Sequence, residues 1–177
     1  MLVALRPPVR LQGPRPVSHS DFAFLDGRFT PDMVFMEIGA ADCKLALRAA
    51  GYVERVYAID VSGHFVQNVL VPVNLRLVLC DGVRIPVPEA SVDLAWSGVF
   101  MDQLHADDAL RHLEAVHRAL AAGGEYVCRT NGPLDALRRR MLAAGFAEVR
   151  YYAGGTRIPA AFSSLIPQNL LRIGAIK

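Results

Sequence analysis

The stretch from Val34 to Asp60, VFMEIGAADCKLALRAAGYVERVYAID, leaves few folds open to this chain. Val34–Ile38 is a short apolar run broken only by Glu37, the pattern of a strand buried on both faces. Gly39 follows at once, where a chain turns sharply and its backbone is free to come close to a ligand. Asp42 is placed to cap a helix whose apolar side is Leu45, Ala46, Ala49 and Ala50, and Gly51 ends it. Val56, Ala58 and Ile59 form a second strand that stops at Asp60. A parallel β-α-β unit of this kind brings the end of strand one, the start of its helix and the end of strand two to one crevice. Gly39's loop offers N–H groups there. Asp60 offers a carboxylate, which only accepts and so suits the two donor hydroxyls of a ribose. Asp60 stands 21 residues after Gly39, close to the ~20 of nucleotide-binding units. Taken alone, Glu37 and Asp60 stay open between that role and plain strand-end polarity.

The remainder of the chain repeats the alternation. Strands are expected at Asn74–Leu79, Ala90–Ala95, Tyr126–Arg129, Ala147–Tyr152 and Leu170–Ile176, and helices at Ser62–Leu70, Asp107–Leu120 and Leu134–Ala144. Gly123-Gly124 are expected to stop the second of these helices, and Gly154–Pro167 reads as a long irregular loop. Alternating strands and helices imply an α/β fold with a doubly wound, mainly parallel sheet. An acid or glycine follows each of the first four strands, at Gly39, Asp60, Asp81-Gly82 and Ser97-Gly98. In a doubly wound sheet those ends share one edge, where ligands bind. The 177 residues fit one domain: an N-terminal arm or lid over 1–33 and an α/β core over 34–177. Residues 1–20 hold four prolines and three arginines with no acid, which reads as an extended arm. Ser18–Phe29, with Phe22, Phe24, Leu25 and Phe29, reads as a short helix or lid.

A net charge of +2 gives no argument for nucleic acid or an anionic membrane as partner, and no apolar run nears the ~18 residues of a membrane span. Cys43, Cys80 and Cys128 are odd in number, widely spaced and free of any Cys-x-x-Cys or Cys/His cluster. That argues against a metal and for reduced thiols in the cytoplasm.

In order along the chain, Glu37-Ile38-Gly39-Ala40-Ala41-Asp42-Cys43, Ile59-Asp60-Val61-Ser62, Cys80-Asp81-Gly82, Ser91-Val92-Asp93-Leu94-Ala95 and Leu120-Ala121-Ala122-Gly123-Gly124-Glu125-Tyr126 resemble the successive motifs of class I S-adenosylmethionine-dependent methyltransferases, the small-molecule "type 11" branch above all. The resemblance runs from about Val34 to Cys128. It implies a Rossmann-like seven-stranded sheet with an antiparallel last strand. It also implies S-adenosyl-L-methionine as cofactor and methyl transfer to a small-molecule nucleophile. By the same resemblance Glu37 and Gly39 to Ala41 line the methionine part, Asp60 binds the ribose and Val61 packs on the adenine. Asp81 accepts from the adenine amino group beside Gly82, and Ser97 and Gly98 lie near the sulfonium. The family's first motif carries two or three alternating glycines, whereas here Ala41 and Cys43 occupy the later positions. If Ala41 has φ > 0, it stores ~1 kcal/mol or more of strain.

A weakly acidic acceptor also needs a base. Asp102 and His105, in SGVFMDQLH, are the candidates, although His105 reads first as a polar cap of the helix that follows and Asp102 equally as a turn acid. His64 stands over the pocket or faces solvent, and both readings stay open. Substrate-binding insertions are nearly absent, so an open crevice is expected, which a second copy in a homodimer could complete. Two other readings compete. One is a non-catalytic methyltransferase-like binding or assembly module. The other is an NAD-dependent dehydrogenase, disfavoured because Ala41 and Lys44 replace the second and third glycines of G-x-G-x-x-G.

Overall fold

A computed structural model describes residues 19–63 and 70–177. The expected helix at Ser62–Leu70, His64 and the proline-rich arm up to residue 18 lie largely outside them. The described elements are α1 (His19–Asp26), β1 (Val34–Ile38), α2 (Lys44–Ala49), β2 (Arg55–Asp60), β3 (Leu75–Leu79), β4 (Val92–Ser97), α3 (Ala106–Ala119), β5 (Leu120–Cys128), α4 (Leu134–Ala143), β6 (Glu148–Ala153), β7 (Thr156–Ile158) and β8 (Leu171–Ile176).

The strands form one sheet in the order β3-β2-β1-β4-β5-β8-β6-β7. β1 to β5 run parallel, β8 inserts antiparallel between β5 and β6, and β7 pairs antiparallel to β6. The chain order reverses between β1 and β4, so the crevice of a doubly wound sheet opens at their carboxyl ends. The alternation of side chains along each strand divides the core into two layers. Phe35, Val56, Leu94, Trp96 and Val127 pack with α1 and α2. Met36, Ile38, Ala95, Tyr126 and Cys128 pack with α3 and α4. The helix with the clearest 3.6-residue pattern, α3, buries Ala109, Leu113, Val116 and Ala119.

Three expectations need correction. The sheet has eight strands, not seven. Tyr-Tyr-Ala-Gly-Gly-Thr-Arg-Ile folds as a two-residue hairpin, with Ala153 opposite Thr156 and Gly154 at φ +58°, so β7 and a 3-10 turn (Ala160–Leu165) occupy the supposed loop. Gly123-Gly124 do not stop α3, which ends at Ala119. They lie inside β5, where the register slips between Val92 and Leu94. Gly124 fits there because a Cβ would stand 2.8 Å from the Val92 carbonyl oxygen. Asp42 is not the N-cap of α2: that position is Cys43, which has no side-chain cap.

α1 is fastened to the sheet, on the α2 side, by buried polar groups. Arg172 Nη2 donates to Asp21 at 2.9 Å, with both side chains fully buried. Arg28, just past the helix, pairs with Glu125, which also accepts the Tyr152 hydroxyl at 2.6 Å. The Arg28 and Arg172 guanidiniums both stand over the Phe24 ring, 4.8 and 4.9 Å from its centre. Gly174 leaves room for this cluster, since a Cβ there would stand 2.5 Å from Glu125 Oε1.

Candidate functional site

The turn after β1 is built from alternate left-handed residues: Gly39 (φ +77°), Ala41 (φ +48°) and Cys43 (φ +58°). Gly39 and Ala40 donate their N–H groups to the Ile59 carbonyl, at 2.8 and 3.0 Å, which brings the turn over the end of β2. There the Asp60 carboxylate receives it. Asp60 Oδ2 accepts from the Ala41 N–H at 2.9 Å, and Oδ1 accepts from the Ser62 N–H at 2.8 Å. Alanine and cysteine thus adopt the conformation that glycine favours, at a cost of ~1–2 kcal/mol each.

Glu37 is buried in the strand, and its Oε2 accepts the Ala46 N–H at 2.9 Å. Ala46 is the third residue after the N-cap Cys43, so a strand carboxylate caps α2 from outside the helix. Burial drives the Glu37 carboxyl well above its ordinary range. The nearby Asp42 and Asp60 charges add to that, and the Ala46 bond only partly opposes it. Asp42 itself accepts the Lys44 N–H at 3.3 Å. Burial pushes the Cys43 thiol up to about 12, so it is not a nucleophile at neutral pH.

Across the crevice, Gly82 (φ +83°) follows the exposed Asp81. The slight burial of the Asp81 carboxyl is outweighed by the N–H groups of Arg84 and Val83, at 2.7 and 2.9 Å, and its pKa lies below the usual carboxylate value. Phe100 joins the two glycine turns. A Cβ at Gly39 would stand 3.3 Å from its ring, and one at Gly82 would stand 3.6 Å from it and 3.3 Å from Val61. Behind Phe100 lies His112 of α3, ring to ring at 5.2 Å, with Nδ1 2.9 Å from the Gly82 carbonyl. Burial lowers its pKa to about 4, so the ring is neutral and Nδ1–H is the donor.

At the end of β4, Ser97 is fully buried and its hydroxyl meets the Tyr126 hydroxyl at 2.6 Å. Gly98 lies beside Arg129, whose N–H donates to the Ser97 and Gly98 carbonyls at 3.3 and 3.1 Å. Asp102 ties the turn after β4 to the loop after β5, accepting from the Thr130 hydroxyl, the Asn131 N–H at 2.7 Å and the Asn131 side chain at 3.1 Å. His105 is exposed at the N-cap position of α3 and makes no side-chain cap bond.

The fold therefore brings Gly39, Ala41, Asp60, Val61 and Gly82 to one edge around Phe100. Glu37 and Ser97 turn into the protein, and Asp102 and His105 lie at the rim after β4. Phe100, His112 and Arg129 belong to the same edge and were not picked out from the sequence. Phe100 sits in an apolar segment that reads as loop, and His112 on a helix face that reads as structural. Among the described residues no group of three or more His, Cys, Asp or Glu is placed to hold a metal. None of their helices is long and apolar enough to cross a membrane.

The residues fit an adenosine-containing cofactor. The two glycines allow close approach, Val61, Phe100 and Leu104 supply apolar walls around Gly82, and Asp60 and Asp81 are acceptors for hydroxyl and amine donors.

The family model described as "Methyltransferase domain" matches residues 36–128, just over half of the chain. No curated protein matches by sequence. Among solved structures, the chain is similar to an S-adenosylmethionine-dependent methyltransferase from Mesorhizobium loti (TM-score 0.65, 15% identity, 84% of this chain and 92% of that one). It is similar to a SAM-dependent methyltransferase from Aquifex aeolicus (TM-score 0.62, 17% identity, 89% and 88%). It is also similar to a Haemonchus contortus phosphoethanolamine N-methyltransferase in complex with phosphoethanolamine and S-adenosylhomocysteine (TM-score 0.56, 23% identity, 63% of this chain). The match covers only 25% of that last enzyme's chain. At these identities the likeness is one of fold.

Proposed function

The chain belongs to the methyltransferase domain family, within the class I S-adenosylmethionine-dependent enzymes, and from that membership we propose that it transfers a methyl group to a nucleophile of a small molecule in the cytoplasm. One observation carries the reading: the left-handed turn Gly39-Ala41-Cys43 closes onto Asp60 and faces Gly82 across Phe100. That supports a turn that has kept its shape while losing its later glycines.

The bound cofactor supplies an electrophilic methyl group on sulfur. The chain's own residues bind and orient. Gly39 and Ala41 border the methionine part, held in register by buried Glu37. Asp60 takes the ribose hydroxyls. Each of its oxygens holds one N–H, and a carboxylate oxygen has room for a second donor. Val61 and Phe100 pack on the adenine, with Gly82 allowing the approach and Asp81 accepting from the amino group. Ser97 and Gly98 contribute backbone near the reacting centre, since the Ser97 hydroxyl is engaged by Tyr126. His105 serves as base where the acceptor needs one, as imidazole is the side chain most used for proton transfer. Asp102 orders the rim through Thr130 and Asn131.

Calorimetric titration with S-adenosylmethionine and S-adenosylhomocysteine, on wild type and Asp60→Ala, tests the cofactor. Transfer of labelled methyl to a panel of small nucleophiles tests the reaction. Micromolar binding that weakens at least ~10-fold in the variant, about 1.4 kcal/mol, together with label transfer, is expected. Absence of binding at millimolar ligand would favour a non-catalytic module.

A further inference from the structure

We propose that Arg129 recognises an anionic group, carboxylate or phosphate, on the methyl acceptor. This rests on the reading of the crevice as a methyltransferase site. Arg129 is the first residue after β5, and its own N–H pins it to the Ser97 and Gly98 carbonyls at the end of β4. Its guanidinium lies across Gly98, with Nη2 3.9 Å from where a Cβ would stand. On the reading of the crevice given above, that places it beside the reacting centre.

Its charge is only partly matched. Asp21 is the one carboxylate within ion-pair distance of Arg129 among the described residues, at 3.2 Å. Arg172 takes the other oxygen of the same carboxylate at 2.9 Å. The second carboxylate of the cluster, Glu125, is used by Arg28 and Tyr152. Asp102 spends its oxygens on Thr130 and Asn131. Three guanidiniums thus share two carboxylates. None of residues 1–18 or 64–69 is an aspartate or glutamate, so those segments bring no side-chain carboxylate.

Two donors are also left over: Nε of Arg129 and Nε of Arg172 are buried without an acceptor. A buried donor without a partner costs ~1–3 kcal/mol, and more when it is charged. Docking of α1 accounts for Arg172, whose side chain has no exposure at all. It does not account for Arg129, whose side chain keeps 17% exposure and so remains reachable. With Nε buried and Nη2 on Asp21, the exposed part of the guanidinium is what meets an oxygen of a carboxylate or phosphate, by a charge-assisted hydrogen bond.

The test uses the full chain at low ionic strength, saturated with S-adenosylhomocysteine, with inorganic phosphate and then acetate titrated by calorimetry. Wild type is expected to bind phosphate saturably, with at least ~10-fold loss in Arg129→Gln and a smaller loss in Arg129→Lys, which keeps the charge but not the fork. S-adenosylhomocysteine affinity and melting temperature are expected to stay near wild type in Arg129→Lys. Equal phosphate binding in wild type and Arg129→Gln, or no saturable binding in wild type, overturns the proposal. So does a parallel fall in S-adenosylhomocysteine affinity, which would assign Arg129 to the cofactor's carboxylate. If wild type fails to bind S-adenosylhomocysteine, the methyltransferase reading falls, while phosphate titration of the ligand-free protein still decides whether Arg129 holds an anion.

Discussion

Asp60 Oδ2 accepts the Ala41 N–H at 2.9 Å, so the acid that ends one strand holds the turn that ends its neighbour. The other oxygen holds Ser62. Asp60→Ala frees both N–H groups in a part-buried site. Bonds to a charged acceptor contribute ~1.5–3 kcal/mol each, and the variant is expected to lose about 2 kcal/mol or more. In a chain of this size that is roughly 4–8 °C of melting temperature, read by calorimetry without ligand. Asp60→Asn, which keeps one acceptor oxygen, should lose less. An Asp60→Ala protein that melts with wild type would show that the turn holds itself.

Ala41 at φ +48° carries left-handed strain worth ~1–2 kcal/mol. Ala41→Gly relieves it, and the greater freedom of glycine in the unfolded chain returns ~0.4–1 kcal/mol. The expected result is a gain of up to about 1 kcal/mol in urea unfolding, with S-adenosylhomocysteine affinity held or improved. Ala41→Val, β-branched at the same φ, should lose stability, and a Val variant as stable as wild type would contradict the left-handed turn.

His112 makes stability depend on pH. Its folded pKa of about 4 lies below the 6.5 of a free imidazole, so between these values the unfolded chain binds the extra proton. Stability is full above pH 6.5 and falls as pH drops towards 4, by about 3 kcal/mol. Glu37, with its carboxyl raised, works the opposite way: its contribution is present below pH 4.5 and is lost as pH rises. The wild-type minus His112→Asn difference isolates the imidazole, because asparagine can still donate to the Gly82 carbonyl. That difference should shrink between pH 6.5 and 4, and a flat difference would contradict a buried neutral ring.

Gly174 is the clearance for the Glu125, Tyr152 and Arg28 cluster. A Cβ there would stand 2.5 Å from Glu125 Oε1 and 3.0 Å from Tyr152. Gly174→Ala must displace that cluster and is expected to cost ~1–3 kcal/mol. Protease cleavage near α1 should rise with it. An Ala variant with wild-type stability and cleavage would mean that α1 does not depend on this packing.

Much of the fold is legible locally. Apolar runs of five or six residues ending in glycine or acid mark β1 to β4, and the 3.6-residue recurrence of Leu113 and Val116 marks α3. The misread segments share a cause. Gly123-Gly124 and Gly154-Gly155 both read as breakers. The first instead lets β5 bulge against Val92, and the second makes a hairpin, because the partner strand decides which glycine conformation is used.

The sequence by itself determined the order of the elements and which acids and glycines stand at strand ends, since periodicity and turn chemistry act over a few residues. Only the tertiary structure decided what those groups do. It turned Glu37 inward to cap α2, tied Asp60 to the Ala41 turn and engaged Ser97 with Tyr126. It also set Phe100 between two glycines and gave Asp21 two arginines to satisfy. Each of these joins residues of different elements, most through buried polar groups that must find partners wherever the packing puts them.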